Sequence, residues 1–341
     1  MADDAAPFPI VGIGASAGGI EALDTLFAGL GLDGGLAYVV VTHISADRES
    51  LLHEVLARLT PMPVMVAAHG MRVEPGHIYV LPARAILGLQ DGCLTIREQD
   101  PVRRERNPID LFFSDLAKAC GEYAIGIILS GGGTDGTLGI KAIKERGGLT
   151  FAQVADGTAP RHPDMPASAI ATGLIDFALP ADEIAAKLLE YARSFGVIED
   201  LQGAAAKAAT AEIYGLLREQ IGHDFSGYKP RTFIRRVQRR MQIARLARVE
   251  DYVERLRQDG DEVTALFRDL LINVTNFFRD SSAFEVLKAQ VLPRLFEGRG
   301  AGDTIRAWVP GCATGEEVYS CLLYTSPSPR DRTRSRMPSS A

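Results

Sequence analysis

The chain has 341 residues, of which 46% are hydrophobic and 23% charged, with a formal net charge of −6 at pH 7, and its length suits about two domains. No apolar run is long enough to span a membrane, and the net negative charge disfavours wholesale nucleic-acid binding. The acidic first residues predict no secretory signal, and the four scattered cysteines have no metal-ligand spacing, so we expect a cytoplasmic protein with reduced thiols and no metal.

From Pro9 to about Pro180, short β-branched runs alternate with helical stretches, which predicts an α/β fold with a doubly wound, mostly parallel sheet and helices on both faces. The predicted strands are Ile10–Ala15, Ala37–Ile44, Val64–Ala67, Ile78–Leu81, Ala124–Leu129, Thr150–Val154 and Phe177–Leu179. The runs Ile86–Leu89 and Cys93–Arg97 flank Asp91-Gly92 and predict an antiparallel hairpin with a primed turn. The predicted helices are Ile20–Leu30, Ser50–Leu59, Pro108–Cys120 and Thr137–Glu145.

The second half of the chain predicts helices in place of strands. We predict a helix that is capped by Asp182 and ends at about Phe195. The alanine-rich stretch Gln202–Ala211 then predicts a helical linker. Helices follow at roughly 211–221, 231–246, 250–258, 261–273 and 281–296, forming an all-α subdomain. Thr304–Val309 is then a predicted strand that enters a second glycine-containing turn and a helix, the start of a second α/β domain.

One predicted helix carries an unusual charge pattern. Lys229–Arg248 contains eight basic side chains and no acidic one. This pattern indicates either a solvated face or a docking face for an acidic partner, because an unopposed row of arginines attracts anions. Too few aromatic residues accompany it to favour stacking on nucleic-acid bases.

The stretch Val11–Gly19 runs from an apolar strand into a glycine-rich turn that has Ser16 at its crest. It fits both a dinucleotide-binding fingerprint and a nucleophile elbow, since each requires a strand, a tight turn and a helix. A dinucleotide site also calls for an acidic residue at the end of the next strand, but that strand ends in Thr42-His43. The pattern therefore favours a serine nucleophile with a nearby base.

His43 is the best-placed base, because the carboxyl ends of parallel strands share one edge of the sheet; His69 also follows a strand and is its competitor. Asp135 follows a third strand and is the candidate that orients the imidazole, although Thr134 or Asp135 could also cap the next helix. The adjoining glycines leave backbone N–H groups free to approach a developing oxyanion, and we assign this role to Ala17, Gly132 and Gly133.

Four motifs occur in an order that resembles a known family: G-A-S-A-G-G at 14–19, T-H at 42–43, S-G-G-G-T-D-G at 130–136 and M-P-A-S-A-I at 165–170. Residues 8–195 resemble the catalytic domain of the chemotaxis protein-glutamate methylesterase, CheB. The resemblance implies Ser16 as nucleophile, His43 as base and Asp135 as orienting acid. The implied reaction is hydrolysis of glutamate methyl esters on chemoreceptors, with possible deamidation of receptor glutamines and no cofactor.

Residues 212–323 resemble the chemoreceptor glutamate methyltransferase, CheR, through F-S-G-Y-K at 225–229, N-V-T-N-F-F-R-D at 273–280 and W-V-P-G-C-A-T-G-E-E-V-Y-S at 308–320. The resemblance implies that S-adenosylmethionine is the cofactor of this half and that four residues help to bind it: Asn273, Thr275, Arg279 and Glu316. It also implies that the basic helix faces the acidic methylation helices of a receptor.

The expected domain limits follow from both resemblances. They are an esterase domain over 8–195, a helical linker over 196–211, a helical subdomain over 212–296, the start of a cofactor domain over 297–323 and a non-native tail over 324–341. Because the cofactor domain is interrupted, we expect the methyltransferase half to be inactive.

The sequence departs from the esterase family in two respects, one in the active site and one in the regulation of the enzyme. Gly132 replaces a methionine that family members usually carry, and the receiver domain that normally precedes the esterase is not seen. Two other functions stay open at this point. One is a non-catalytic signalling scaffold that binds receptors through both modules, and the other is a hydrolase of small esters.

Overall fold

The structure is a computed structural model and describes residues 8–31, 35–43, 52–83, 85–98, 107–154, 160–194, 204–271, 281–298, 303, 306–310, 312 and 315–325. Internal contacts divide the chain into two units, Met1–Ile272 and Asn273–Ala341. Within the described residues, no helix is long and apolar enough to cross a membrane.

The first unit is built on a parallel sheet. Its strands are β1 (Ile10–Ala15), β2 (Ala37–Thr42), β3 (Val64–Val66), β4 (Ile78–Val80), β7 (Ala124–Ile128), β8 (Leu149–Gln153) and β9 (Phe177–Leu179). In the described part of the chain their order is β3-β4-β2-β1-β7-β8-β9, and all neighbours are parallel. The central strands are buried on both faces, which is why they appear in the sequence as continuous apolar runs.

The predicted hairpin is confirmed as β5 (Ala85–Gln90) paired antiparallel with β6 (Cys93–Glu98). Its turn residues Asp91 and Gly92 have φ values of 50° and 74°. Positive φ at both central positions is the requirement of a type I′ turn, which Asp-Gly meets at little cost. The hairpin is a separate two-stranded sheet beside the parallel one.

Helices cover both faces of the sheet, as predicted. Apolar side chains of α1 (Gly19–Ala28), α2 (Leu52–Leu59) and α6 (Ala181–Ser194) form one core cluster with one face of the sheet. A second cluster packs the other face beneath α3 (Pro108–Cys120), α4 (Thr137–Glu145) and α5 (Asp164–Ala171). The sequence analysis missed α5, whose eight residues include a proline in the first turn and are too few for a clear helical period.

Four helices complete the first unit: α7 (Ala204–Ile221), α8 (Pro230–Ala244), α9 (Val249–Gln258) and α10 (Gly260–Leu270). They share their own apolar core, which includes Phe233, Tyr252 and Leu266. The alanine-rich stretch predicted as a linker is the beginning of α7 from residue 204 onward. The end of the helix predicted before it, at Phe195, lies outside the described residues.

The second unit contains α11 (Ser281–Val286), a π-helical turn (Leu287–Val291), α12 (Leu292–Phe296) and α13 (Glu316–Thr325). The sequence analysis predicted a single helix over 281–296. Pro293 lacks an N–H and therefore interrupts the regular hydrogen-bond ladder of that helix. The strand predicted over Thr304–Val309 is wrong for residues 306–309, which have no strand structure, whereas residues 304 and 305 lie outside the described part. The part of this unit that is described offers no second strand with which residues 306–309 could pair.

The helical region is attached to the sheet region through a buried ion-pair network. Lys144 at the end of α4 forms ion pairs with Asp176 and, at 3.1 Å, with Asp269 of α10. Arg239 of α8 pairs with the same two carboxylates, so that two cations and two anions alternate around one centre. Burial alone would raise the pKa of Asp176, but Arg239 and Lys144 outweigh burial and hold it well below its usual range. We call these four residues the ion-pair joint.

Arg236 reinforces the joint from the same face of α8. Its guanidinium donates to the carbonyl oxygens of Lys144 at 2.9 Å and Glu145 at 3.1 Å, at the carboxyl end of α4. A cation in this position satisfies free carbonyls and opposes the negative end of the helix dipole. Burial lowers the pKa of Arg236 to about 10, which leaves the side chain charged at neutral pH.

The joint corrects both interpretations of the basic helix only for its buried arginines; at its exposed basic residues, such as Lys229 and Arg231, a solvated or a docking face stays a prediction. Arg236 and Arg239 are only 1% and 3% exposed, so they form neither a solvated face nor a docking face for an outside partner. Arg240 is also engaged, because it makes two hydrogen bonds to Glu262 of α10. The sequence showed a row of positive charge, but the carboxylates that oppose it lie far away in the chain.

We expect Arg239→Met to lower the free energy of unfolding by about 3–5 kcal/mol, because it leaves two buried carboxylates with one cation. Urea denaturation of the whole chain measures the change. Arg257→Met is the matched control, since Arg257 makes only exposed ion pairs with Glu254 and Glu212, and its removal should leave the midpoint unchanged. Equal losses in the two variants would show that the joint has no special contribution.

Candidate active site

Three neighbouring strands deliver the candidate residues to one edge of the sheet. Strand β1 lies between β2 and β7, with Ala15 opposite Thr42 and Gly14 opposite Ile128. Because these strands are parallel and in register, the residues that follow them begin at the same level. Ser16, His43 and the loop 129–136 therefore start side by side.

The turn after β1 holds Ser16 between a strand and a helix. Its backbone N–H donates to the Ser130 carbonyl oxygen at 2.9 Å, and its own carbonyl accepts from Gly19 N at 2.9 Å. Gly18 has a φ of 71°, and a Cβ there would lie 2.8 Å from the Ser130 hydroxyl oxygen. Backbone conformation and lack of space thus both require glycine at this position.

The three predicted side chains form a hydrogen-bonded chain. His43 Nδ1 lies 3.1 Å from Ser16 Oγ, and His43 Nε2 lies 2.7 Å from Asp135 Oδ2. Since the carboxylate accepts from Nε2–H, Nδ1 is left with a lone pair that faces the serine hydroxyl. His43 keeps 30% of its side chain exposed, whereas Asp135 is buried. This arrangement can withdraw a proton from Ser16 at a site open to the surface.

Asp135 is held by four donors, two on each carboxylate oxygen. Oδ2 accepts from His43 and from Ile109 N at 3.0 Å, while Oδ1 accepts from Asp110 N at 2.9 Å and Gly136 N at 2.8 Å. Ile109 and Asp110 are in the first turn of α3, where free N–H groups and the helix dipole favour an anion. The carboxylate is therefore fixed in place.

This arrangement answers the competing interpretation of Asp135 as a helix cap. The N-cap position of α4 is Gly136, which has no side chain to cap the helix. Asp135 instead serves as a cap for α3, whose own N-cap residue Asn107 makes no side-chain cap bond. The sequence analysis missed the roles of Ile109 and Asp110. Only Asn-Pro at the start of α3 signalled a helix N-terminus, and nothing signalled what it faces.

Ser130 also supports the site, although the sequence analysis named it only as part of the motif at 130–136. It is buried, and its hydroxyl donates to the Ala17 carbonyl oxygen at 2.9 Å and accepts from His162 N at 3.2 Å. Its backbone N–H donates to Gln153 Oε1 at 3.0 Å. Ser130 therefore holds the nucleophile turn through its hydroxyl as well as through its carbonyl oxygen.

The glycine loop passes close to the nucleophile. A Cβ on Gly131 would lie 2.9 Å from Ser16 Cβ and 2.4 Å from Met165 Sδ, so the backbone there can approach Ser16 only without a side chain. Gly133 has a φ of 83°, which also favours glycine. At Gly132 a Cβ would meet nothing within 4 Å. A Cβ at Gly132 would thus meet no clash, so space at this atom does not require glycine.

The other candidate residues lie away from this hydrogen-bonded chain or outside the described residues. His69, the competing base, accepts from Ile96 N at 3.2 Å, beside the hairpin. Three of the predicted cofactor ligands, Asn273, Thr275 and Arg279, lie outside the described residues. Glu316 begins α13, and its side chain is also outside the description.

The sequence matches known protein families in both halves of the chain. Three family models match: CheB methylesterase over residues 11–188, the all-alpha domain of CheR methyltransferase over 209–271, and the SAM-binding domain of CheR methyltransferase over 273–335. The third match runs beyond Leu323, where the sequence analysis placed the interruption. Whether the methyltransferase half is inactive stays a prediction, as does the non-native tail, of which residues 326–341 lie outside the description.

Individual relatives agree with these matches. A protein-glutamate methylesterase/protein-glutamine glutaminase from Paramagnetospirillum magneticum is 35% identical over 184 residues, which cover 53% of this chain and 51% of the relative. An uncharacterised 104.1 kDa protein from Rhodobacter capsulatus is 34% identical over 296 residues, 79% of this chain and 30% of the relative. The chain spans about half the length of the curated methylesterases that it matches.

A solved structure resembles the sheet region. The crystal structure of the Thermotoga maritima CheB methylesterase catalytic domain has a TM-score of 0.50 and 31% sequence identity to this chain. It covers 54% of this chain, and the match includes 98% of that domain. The predicted fold class of the first region is confirmed by this likeness together with the parallel sheet.

We expect Ser130→Ala to slow the reaction of Ser16 with a fluorophosphonate, a reagent that labels activated serines, by about 10-fold. The substitution removes the hydroxyl's hydrogen bonds to Ala17 O and from His162 N, and the loss of the first loosens the nucleophile turn, at a cost of about 1–2 kcal/mol. The labelling rate, followed by intact-protein mass spectrometry, measures the effect.

Ser168→Ala is the control for this labelling, because the Ser168 hydroxyl contacts Thr137 and does not touch the nucleophile turn. It should label at the rate of the unmodified chain. A Ser130→Ala variant that labels equally fast would show that this hydroxyl does not position Ser16.

Proposed function

We propose, on the premise that this chain belongs to the CheB methylesterase family through residues 11–188, that it hydrolyses methyl esters of glutamate side chains on chemoreceptors to glutamate and methanol. The observation that carries the proposal is the hydrogen-bonded chain Ser16–His43–Asp135 at the edge of the sheet. The curated relatives are named for both methylesterase and glutaminase activity, and we extend both to this chain.

In the proposed reaction, Ser16 Oγ attacks the ester carbonyl carbon while its proton passes to His43 Nδ1. Asp135 stabilises the resulting imidazolium by accepting from Nε2–H. Collapse of the tetrahedral intermediate expels methoxide, which takes the proton from His43 and leaves as methanol. The glutamate side chain then remains attached to Ser16 as an acyl-enzyme.

Water completes the cycle by the reverse proton path. The water oxygen attacks the acyl carbon while His43 takes a proton from the water. The second tetrahedral intermediate then releases glutamate, and the proton from His43 restores the Ser16 hydroxyl. We assign the oxyanion hole to the backbone N–H groups of Ala17, Gly132 and Gly133. The close approach of Gly131 to Ser16 supports this assignment, because it brings the adjoining backbone of the glycine loop near the nucleophile.

Deamidation of a receptor glutamine follows the same steps with ammonia as the leaving group. The carbonyl carbon and the acyl-enzyme are identical, and only the group that receives the proton from His43 changes. The exposure of His43 supports a substrate side chain presented on the surface of another protein.

The CheR matches extend the proposal to a second, opposing function. The SAM-binding domain match supports S-adenosylmethionine as the cofactor of that region, where it would supply the methyl group. Gly315 has a φ of 94°, which forms a tight glycine turn immediately before α13 and fits a loop that approaches a ligand closely. The chain thus joins an esterase to a methyltransferase half of opposing function, which we still expect to be inactive, and a chemoreceptor is the partner proposed for both.

We expect Ser16→Ala to lower kcat for methanol release from methylated receptor membranes by roughly 10⁴–10⁶, because members of a catalytic triad act as a unit. Gas chromatography of released methanol measures this rate. The Ser168→Ala variant should release methanol at the rate of the unmodified chain.

Three results would contradict the proposal in different ways. Methanol release by Ser16→Ala at the unmodified rate would remove Ser16 from the reaction. Receptor binding by the unmodified chain without turnover would favour a scaffold. Turnover of small methyl esters with none on receptor would favour a general ester hydrolase.

A further inference from the structure

We infer that Asp110 is a positioning residue for the esterase reaction: its carboxylate holds the first turn of α4 against α3 and thereby fixes Asp135 in line with His43. This inference rests on the proposed function. Asp110 does not contact Ser16 or His43 in the described structure, and its effect passes through Asp135.

The carboxylate of Asp110 is directed at α4. Its Oδ1 accepts from Gly139 N at 2.8 Å, in the first turn of α4. A Cβ on Gly139 would lie 3.2 Å from Asp110 Cα and 2.4 Å from Phe113 Cβ, so the two helices are in close contact at this point. Asp110 is only 7% exposed, which leaves little water to replace the bond.

The two helices cap each other. The N-terminus of α3 donates through Ile109 N and Asp110 N to Asp135, which precedes the N-cap residue of α4. The N-terminus of α4 donates through Gly139 N to Asp110, which lies in the first turn of α3. Each helix thus supplies the acid that the other lacks at its own cap position, since neither Asn107 nor Gly136 caps through a side chain.

The reciprocal arrangement brings two carboxylates close together. Burial raises the pKa of Asp110 to about 6, the charge of Asp135 adds to the increase, and hydrogen bonds from the first turn of α4 oppose it. Asp110 is therefore ionised at neutral pH and becomes protonated as the pH falls below about 6. Protonation would weaken a charge-assisted bond to Gly139.

Among the described residues, which do not include 99–106 just before α3, few other ionisable groups lie on the elements that pack against Asp110. Strands β1, β5 and β7, which pack against α3, have no ionisable side chain, and β2 has only Tyr38, which belongs to the core of the opposite face. The short turn after α3 lies at its far end. Helix α4 contributes ionisable side chains only in its second half: Lys141, Lys144 and Glu145. Asp135 is thus the charge that acts on Asp110 most directly.

We expect Asp110→Asn to reduce kcat on methylated receptor by about 10-fold with KM unchanged. The amide keeps an oxygen for Gly139 N but loses the charge, and Asp110 has no contact with substrate, so the defect falls on the alignment of Asp135. Asp110→Ala, which removes the acceptor entirely, should reduce kcat further.

The pH dependence separates positioning from a merely structural role. In the unmodified chain, protonation of Asp110 should lower kcat/KM by about 10-fold beyond the loss caused by protonation of the base, so that the slope of log kcat/KM against pH exceeds 1 near pH 6 and returns to 1 at lower pH. In Asp110→Asn only one proton should be involved, and the slope should approach 1. The slope in the unmodified chain tests the inference even if the variant fails to fold.

The controls distinguish failure of this inference from failure of the proposed function. Ser114→Ala removes a hydroxyl that donates to the Asp110 carbonyl oxygen without altering the carboxylate, and it should keep both kcat and the slope. No turnover by the unmodified chain would refute the function itself. Turnover with equal kcat and equal slopes in the unmodified and Asp110→Asn chains, or a defect in melting temperature alone, would refute the role of Asp110.

Discussion

The carboxylate of Asp135 joins the elements that surround the candidate site. It receives one hydrogen bond from the imidazole after β2, two from the N-terminus of α3 and one from the backbone just before α4. Displacing any one of these elements would leave a buried donor or a buried negative charge unsatisfied. The need to satisfy this charge therefore couples the chemistry of the site to the packing of the helices around it.

Much of the site could be predicted because parallel strands make chain order informative about space. Once β1, β2 and β7 are recognised as strands, Ser16, His43 and Asp135 fall at a common edge without knowledge of any contact. The choice of ring nitrogen, by contrast, depends on the rotamer of His43. The donors from α3 and the hydroxyl of Ser130 depend on how separate segments pack, and no local pattern encodes that packing.

The basic helix also shows that local sequence does not reveal how separate segments pack. Its composition was read correctly, but charge on one helix does not reveal which groups oppose it. Asp176 is 63 residues away from Arg239 in sequence and Asp269 is 30 residues away, and they meet only when the helical region packs on the sheet region. Helix α5 was missed for a related reason, since its burial depends on Met165 and Ala169 reaching the core rather than on a long helical period.

The ion-pair joint has a consequence for the modularity of this chain. The two family matches end and begin at residues 188 and 209, so the sequence suggests a cut between them. A fragment cut there would keep Lys144 and Asp176 but lose Arg239 and Asp269, and the carbonyls at the end of α4 would lose Arg236. The boundary between the two family matches therefore lies inside one compact unit of the structure. Excising or exchanging either module requires a rebuilt surface as well as a new linker.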